Sequence, residues 1–352
     1  MLVGLAIAVG IAQPAAAHSA DVPVASDYRS AVTGISPPLP GLTVRSIEAG
    51  ARLELVNHTG RTIEVLGYSG EPYLQIAPDG VYQNADSPAT YINETLLGGV
   101  APPPSAGAAM APDWRWLSGT PAVVWHDQRV HWVQPQPPAD VAADPTEPHH
   151  VRDWSVPLRD GVRLFAVTGT LDWVPPPSPA TWWAGCLLGA AAVAGVGLLA
   201  GRRGMGTLAV VALAGGVAGL GYAVGTAMDT GALGGTGVLR ALLVQQLWPV
   251  VCSVAALVAG GYALLARPAA DLAVGLAGAC LALFAGVPNA AVFAHAVVPM
   301  PGPGTLARVL VLLMVAGGVG LAGAAGLRMR GAVPTPARAA PQPQAAEKAA
   351  QN

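Results

Sequence analysis

The chain has 352 residues, of which 53% are hydrophobic and only 11% are charged, and its formal net charge is −2 at pH 7. This composition contains no basic patch and no RNA-binding motif, so nucleic acid is excluded as a partner. Its three cysteines all fall in long apolar segments, which excludes a disulfide framework in the polar part of the chain. We therefore expect a membrane protein with a separate polar domain.

The amino-terminal 17 residues have the pattern of a secretory signal. The apolar run at residues 2–12 is too short to span a bilayer, and three alanines at 15–17 provide small residues for a cleavage site. We expect a signal peptide over residues 1–17. Cleavage after it makes His18 the first residue of the exported protein, where its amine and imidazole both become available to one metal ion. The alternative is that His18 begins a leader without function.

Residues 18–174 predict an extracytoplasmic β domain. Helical periodicity is scarce there, and short runs alternate apolar with polar side chains between turn residues, which is typical of an antiparallel sandwich. The strand-like runs occupy residues 42–47, 51–57, 62–66, 73–76, 81–82, 123–125 and 130–133.

The clearest unit is a hairpin at the end of this domain. Residues 154–162 read W-S-V-P-L-R-D-G-V, and the Asp-Gly pair predicts a tight turn into a second strand that ends at Trp173. Prolines at 175–177 then predict a stiff spacer over residues 175–180.

The hairpin and His18 together resemble the CopC family of exported copper-binding domains. That family begins at a processed His and ends in a hairpin of the form W-x-V-x-S-x-D-G-H, followed by G-x-x-x-F; here 169–173 read G-T-L-D-W. The resemblance implies an immunoglobulin-like fold, a multi-helix membrane partner of CopD type, and copper held by His18 and Asp160. The position of the third family ligand, the hairpin His, is Val162, so the ligand set is incomplete.

The densest cluster of polar and aromatic residues is the run W-H-D-Q-R-V-H-W at residues 125–132. On one straight strand, His126 and His131 point to opposite faces, so both can serve one ion only if the chain turns at Asp127 and Gln128. In that case either histidine replaces the missing hairpin ligand. The alternative is a structural network of Asp127, Arg129 and His131.

Five apolar segments predict five transmembrane helices within residues 181–327. Each is long enough to cross about 30 Å of hydrocarbon. The segments are residues 181–201, 205–227, 241–266, 272–297 and 306–327. Their many Gly and Ala residues predict close helix packing. No segment carries an internal acid or base, so the usual mark of an ion pathway is missing.

Basic residues set the expected orientation. If the first helix leaves the outside, five arginines lie in the cytoplasm and only Arg240 and Arg308 lie at outer ends. The polar segment 328–352 is then a disordered cytoplasmic tail. Met228, Met300 and His295 also fall at outer ends, where thioether and imidazole groups suit Cu(I), although methionines are common at helix ends.

Motifs of hydrolases, zinc proteases and nucleotide-binding enzymes are absent from the sequence, so we expect no enzyme. The leading hypothesis is extracytoplasmic copper handling by the β domain, with the bundle as anchor or passage. The alternative is a non-catalytic scaffold or assembly subunit whose ectodomain binds another membrane or exported protein. In both cases the lipid bilayer is a partner.

Overall fold

The computed structural model describes residues 25–98, 100–199, 201–230 and 234–331. The predicted signal peptide, His18 and the tail beyond residue 331 lie outside the described residues. The described chain forms a β-sheet domain followed by a bundle of long apolar helices.

The β domain contains two antiparallel sheets. A seven-stranded sheet has the order β1-β10-β9-β4-β5-β6-β7, and a three-stranded sheet has the order β2-β3-β8. The strands are β1 (Tyr28–Ser36), β2 (Leu42–Ile47), β3 (Arg52–Asn57), β4 (Ile63–Leu66), β5 (Pro72–Ala77), β6 (Gly80–Asn84), β7 (Trp114–Ser118), β8 (Ala122–Trp125), β9 (His149–Asp160) and β10 (Arg163–Trp173).

The two sheets share one apolar core. Leu53 and Leu55 of β3 are fully buried in the same cluster as Val156 and Leu158 of β9. Their spacing of two residues places each pair on one face of its strand, as the alternating sequence pattern predicts. The antiparallel β architecture expected from the sequence is therefore confirmed.

The hairpin of β9 and β10 is also confirmed. The register pairs Asp160 with Arg163, and Gly161 at the turn has φ of +61°, a conformation that favours glycine. Further along the hairpin, Gly169 lies opposite Trp154, whose indole covers it.

One predicted strand is wrong. Residues 130–133 do not form a strand, because a 3₁₀ turn over Gln128–Val130 includes the first of them and the three after it are irregular. The Asp127 carboxylate accepts a hydrogen bond from the backbone N–H of Arg129 at 3.1 Å. It also forms an ion pair with the Arg129 guanidinium at 2.7 Å. This local bonding by a fully buried aspartate stabilises the turn at the expense of the strand.

Eight α-helices lie in the described residues. Two short ones, α1 (Pro88–Ile92) and α2 (Ala139–Ala143), belong to the β domain. The rest are α3 (Pro179–Val196), α4 (Gly201–Asp229), α5 (Gly234–Val244), α6 (Leu247–Leu264), α7 (Ala270–Leu281) and α8 (Gly304–Gly331). Five helical segments are long and apolar enough to cross a membrane, as expected: α3, α4, α6, α8 and the segment Ala270–Phe293 that begins with α7.

Two predicted spans have different bounds from those expected. The third begins at Leu247 and not at residue 241, because α5 ends at Val244 and a new helix starts just before Pro249, which lacks an N–H and suits a first turn. The fourth changes from α-helix to a π-turn at residues 282–286 and then to a 3₁₀ segment containing Pro288.

Small residues allow the helices to approach closely, as the sequence predicts. A Cβ added at Gly216 of α4 would lie 2.7 Å from the Ser253 carbonyl oxygen of α6. A Cβ at Gly278 of α7 would lie 2.9 Å from the Gly318 carbonyl oxygen of α8. Backbones at these crossings are in contact, which is how helices gain packing energy in lipid.

Replacing Gly169 with Ala should destabilise the β domain by about 1–3 kcal/mol, because the new Cβ overlaps the Trp154 ring and the Ala31 carbonyl oxygen. Thermal unfolding of the purified protein, followed by near-ultraviolet circular dichroism, measures this effect. The control is Gly34→Ala, where an added Cβ meets nothing within 4 Å. Equal stability of the two variants would contradict the packing described.

Candidate functional site

The β domain joins the bundle through an antiparallel backbone bridge. The Ser26 N–H donates to the Val297 carbonyl at 3.0 Å, and the Val297 N–H donates to the Ser26 carbonyl at 2.8 Å. Residues that are distant in sequence, at the start of the β domain and in the loop before α8, are thereby held together. We call the end of the bundle that carries this bridge the docked end.

Asp27 extends this contact into the bundle. Its carboxylate accepts a hydrogen bond from the Ala296 N–H at 2.8 Å and forms an ion pair with His295 Nδ1 at 2.9 Å. The loop that receives it is held from the other side by the buried Arg308, which donates to the carbonyl oxygens of Val292 at 2.9 Å and His295 at 2.8 Å. Arg308 therefore satisfies carbonyls that the broken helix leaves free.

Asp229 makes the reciprocal contact from the bundle to the β domain. It is the last residue of α4, and its carboxylate accepts a hydrogen bond from the Ala49 N–H at 3.2 Å. An acid at a helix C-terminus is unfavourable because the helix dipole is negative there. Backbone N–H groups of the β domain offset that cost.

The segment that receives Asp229 has an unusual backbone. Glu48, Ala49 and Gly50 have φ of 55°, 57° and 94°, so two non-glycine residues adopt the left-handed region. Such residues cost about 1–3 kcal/mol each and persist where contacts hold them. Here the Ala51 N–H donates to the Glu48 carbonyl at 3.0 Å, and the Ala49 N–H donates to the Asp229 carboxylate.

A cavity of about 230 Å³ lies between the two domains beside these contacts. Both domains line it, including Arg29 from β1, Asp229 from α4 and Met300 from the loop before α8. The hydroxyls of Ser30 and Ser46 are buried there and have no hydrogen-bond partner among the described residues. A polar cavity of this size suits water or a small polar ligand.

The structure brings two of the four predicted metal ligands together. The turn at Asp127 and Gln128 that the metal hypothesis requires is present, and it places both His126 and His131 near Ala51. Nδ1 of His126 lies 2.9 Å from the Ala51 carbonyl, and Nε2 accepts from Arg52 Nε at 3.1 Å. Because Nε2 accepts, the network assigns the proton to Nδ1, and both nitrogens of this ring are in use.

The imidazole of His131 differs from that of His126 in its hydrogen bonding. Its Nε2 atom is buried and has no hydrogen-bond partner among the described residues, and the ring lines a cavity of about 60 Å³ together with Ser26, Tyr28 and Trp132. Burial lowers the pKa of His131 to about 4, and the hydrogen bond to Ala51 opposes that shift. The imidazole is therefore neutral at physiological pH, the form that binds a metal.

Asp160 does not join the histidines. It forms an ion pair with Arg61 at the turn of the β9–β10 hairpin. His131 lies at the other end of β9, where its carbonyl oxygen accepts from Arg152. The eight residue steps from Arg152 to Asp160 correspond to about 26 Å along the strand. The described residues contain no group of three or more His, Cys, Asp or Glu side chains that could hold a metal.

Sequence reasoning missed the docking residues. Neither Asp27 nor Asp229 is among the candidate residues that the sequence indicates. The available signal for Asp229 was its position, since an acid at the end of a membrane helix without a basic neighbour needs an external partner. For Asp27 no local pattern indicated a contact with residues 295–297.

No known protein family, no characterised protein and no solved structure matches this chain.

Replacing Asp229 with Ala should loosen the docking segment 48–50. A hydrogen bond to a charged group contributes about 1.5–3 kcal/mol, so local opening should increase roughly tenfold or more. Hydrogen–deuterium exchange of this segment in the purified full-length protein measures that opening. Asp140→Ala, at an exposed position in α2, is the control and should exchange like the unaltered protein. Unchanged exchange in Asp229→Ala would contradict the docking contact.

Acid should destabilise the protein through His131. The folded-state pKa of His131 is lowered to about 4 from its ordinary 6.5, so the unfolded chain takes up the proton first as pH falls. Stability should decline between those values by up to about 3 kcal/mol. Unfolding measured across this range should show less acid sensitivity in His131→Gln, whereas His58→Gln, at an exposed position, should behave like the unaltered protein. The same acid sensitivity in both variants would contradict this assignment.

Proposed function

We propose that this protein is a non-catalytic, membrane-anchored interaction subunit whose β domain binds a protein partner outside the cytoplasm. The observation that carries the proposal is the free edge of the seven-stranded sheet. Strand β7 pairs only with β6 in the described structure, and its residues Trp116 and Leu117 are 63% and 46% exposed. An exposed apolar edge strand is a surface that native proteins cover with a partner.

The reciprocal docking of Asp27 and Asp229 supports this function. Together with the bridge between Ser26 and Val297, it holds the β domain on the bundle at three points. A partner that binds the sheet edge then meets a surface at a fixed height above the bilayer. Preorganisation of this kind reduces the cost of binding.

The helices support an anchor more than a passage. Arg308 and Asp271 lie toward the ends of their spans and already have roles, because Arg308 bonds carbonyl oxygens at the docked end and Asp271 pairs with Arg328 at the other. A pathway for ions normally needs polar or ionisable groups deep within the bundle. Anchoring needs only length and apolarity, which these helices have.

The charge distribution supports an extracytoplasmic β domain. Asp229 ends α4 at the docked end, so Arg202 and Arg203 at its start lie at the opposite end, as do Arg328 and Arg330 of α8. The positive-inside tendency places that arginine-rich end in the cytoplasm. The proposal includes an immunoglobulin-type sandwich for the β domain, supported by two antiparallel sheets with one shared core.

A photo-crosslinking amino acid at Trp116 should give a discrete adduct with one protein in intact cells that produce this protein at native level. The same probe at Val162, which is fully exposed at the hairpin turn, is the control and should give none. Trp116→Ser should weaken the recovery of that same partner, because exposed Trp residues commonly dominate interface energy. Identical adducts from both probe positions would contradict the proposal.

Copper handling is the second candidate, and the His131 cavity favours it. The unpartnered Nε2 atom of His131 lies beside Ser26, at the beginning of the described chain. Residue 18 precedes Ala25 by seven residues, which span at most about 25 Å, so an exported amino-terminal His18 has enough chain to reach this cavity. The Nε2 atom of His131 with the amine and imidazole of His18 would suit Cu(II), in keeping with the resemblance to CopC domains.

A Cu(II) titration of the processed full-length protein, followed by electron paramagnetic resonance, tests this candidate. One equivalent should bind with nitrogen coordination, and binding should weaken at least tenfold in His131→Gln because a ligand is lost. Asp160→Asn should bind copper normally, since Asp160 lies at the other end of β9. Equal binding by the unaltered protein and His131→Gln would remove copper from consideration at this site.

A further inference from the structure

A groove of about 410 Å³ opens between the two sheets of the β domain. The three-stranded sheet forms one wall through β8, and the other wall comes from β5, β6, β7 and the residues around α1. Pockets that bind ligands commonly have volumes of roughly 300–1,000 Å³. This groove is separate from the cavity between the domains and from the small cavity beside His131.

The groove lies against the edge of β8. Four consecutive residues, 123–126, all line it. Since successive side chains of a strand point to opposite faces, four in a row can line one groove only where the backbone edge of the strand faces it. The topology agrees, because β8 pairs with β3 on one side and with no described strand on the other.

The register identifies which backbone groups face the groove. The Asn57 N–H donates to the Pro121 carbonyl at 2.9 Å, so this pair is hydrogen-bonded. Bonded and non-bonded pairs alternate along an antiparallel ladder. Leu55 with Val123 is then a bonded pair, whereas Glu54 with Val124 is not. The N–H and carbonyl of Val124 therefore point away from β3, toward the groove.

A buried amide supplies a further donor. Asn93 is 5% exposed and lines the groove; its Nδ2 atom has no partner of ordinary hydrogen-bond geometry among the described atoms, and the Tyr73 hydroxyl beside it can take only one of its two hydrogens. The Gln128 N–H donates to the Tyr68 hydroxyl at 3.0 Å, and that hydroxyl donates to Asn93 Oδ1. This chain of bonds assigns the oxygen of the amide to the Tyr68 side and leaves one Nδ2 hydrogen for an acceptor in the groove.

We propose that this groove binds an extended peptide segment of the partner, which adds as a strand to the free edge of β8. A peptide backbone offers both the acceptor and the donor that Val124 lacks, and a further carbonyl accepts from Asn93 Nδ2. Leu74 and Leu117 line the groove and provide apolar contacts for the side chains. Addition of a strand to an open edge is an established mode of peptide recognition. This inference rests on the proposed function and names the feature of the partner that is recognised.

Four residues of β8 span about 13 Å, so a tetrapeptide matches the edge in length. The probe is a fluorescently labelled, acetylated and amidated Val-Thr-Val-Thr peptide, titrated into the full-length protein in detergent and followed by anisotropy. The control peptide has the same sequence with every backbone amide methylated, which removes its donors. We expect saturable binding of the first peptide and at least tenfold weaker binding of the second.

The matched variant is Val124→Pro. It removes the N–H that faces the groove and leaves the ladder to β3 intact, because proline is tolerated where the N–H of an edge strand points outward. We expect an unchanged unfolding temperature and at least tenfold weaker binding of the peptide. Asn93→Ser, which shortens the donor, provides a second variant with an expected loss in the same direction.

No saturable binding of the tetrapeptide, or equal binding by the unaltered protein and Val124→Pro, would overturn the inference. The crosslinking experiment at Trp116 distinguishes failure of this inference about the groove from failure of the proposed function. If the adduct forms and the peptide does not bind β8, only the groove assignment fails. If the peptide binds as expected and the probe at Trp116 gives no adduct, only the proposed use of the β7 edge fails.

Discussion

The arrangement of the two domains depends on an exchange of carboxylates. Asp27 of the β domain bonds the loop that contains His295, and Asp229 of the bundle bonds the strained segment at Ala49. Asp229 is placed where its own domain offers it little, since it lies at the negative end of a helix. Each acid is stabilised by N–H groups of the other domain. The two domains therefore stabilise each other's least favourable local features, and separating them would expose both at once.

This exchange accounts for the irregular backbone of the membrane domain at its docked end. The fourth span stops being a regular helix after Leu281, and Arg308 then bonds the carbonyl oxygens that the irregular segment leaves free. The resulting loop presents the Ala296 N–H to Asp27. A straight helix would keep that N–H within its own ladder. The irregular backbone thus provides the docking surface, and the buried arginine holds it in place.

The sequence predicted the parts of the fold that local patterns determine. Alternation predicted β3, the Asp-Gly pair predicted the β9–β10 hairpin, and apolar length predicted five spans, because strand faces, tight turns and helix lengths are local properties. Prediction from the sequence failed where a side-chain hydrogen bond or a contact with a distant residue determines the local structure. Asp127 turns the chain at residues 128–130 and brings His126 and His131 together, which the sequence could state only as a condition. The separation of Asp160 from these histidines follows from strand length and register, and the exposed edge of β7 follows from sheet order, neither of which a motif encodes.

The distance between the two domains in a lipid nanodisc tests the docking most directly. Spin labels at Val162 of the β domain and Leu306 of α8, with the three native cysteines replaced by alanine, allow this distance to be measured by double electron–electron resonance. Both labelled positions are exposed, so the labels should not disturb packing. Docking through both acids predicts a single narrow distribution, which should broaden when Asp27 and Asp229 are both replaced by alanine. A broad distribution with both acids present, or a narrow one that survives their removal, would contradict it.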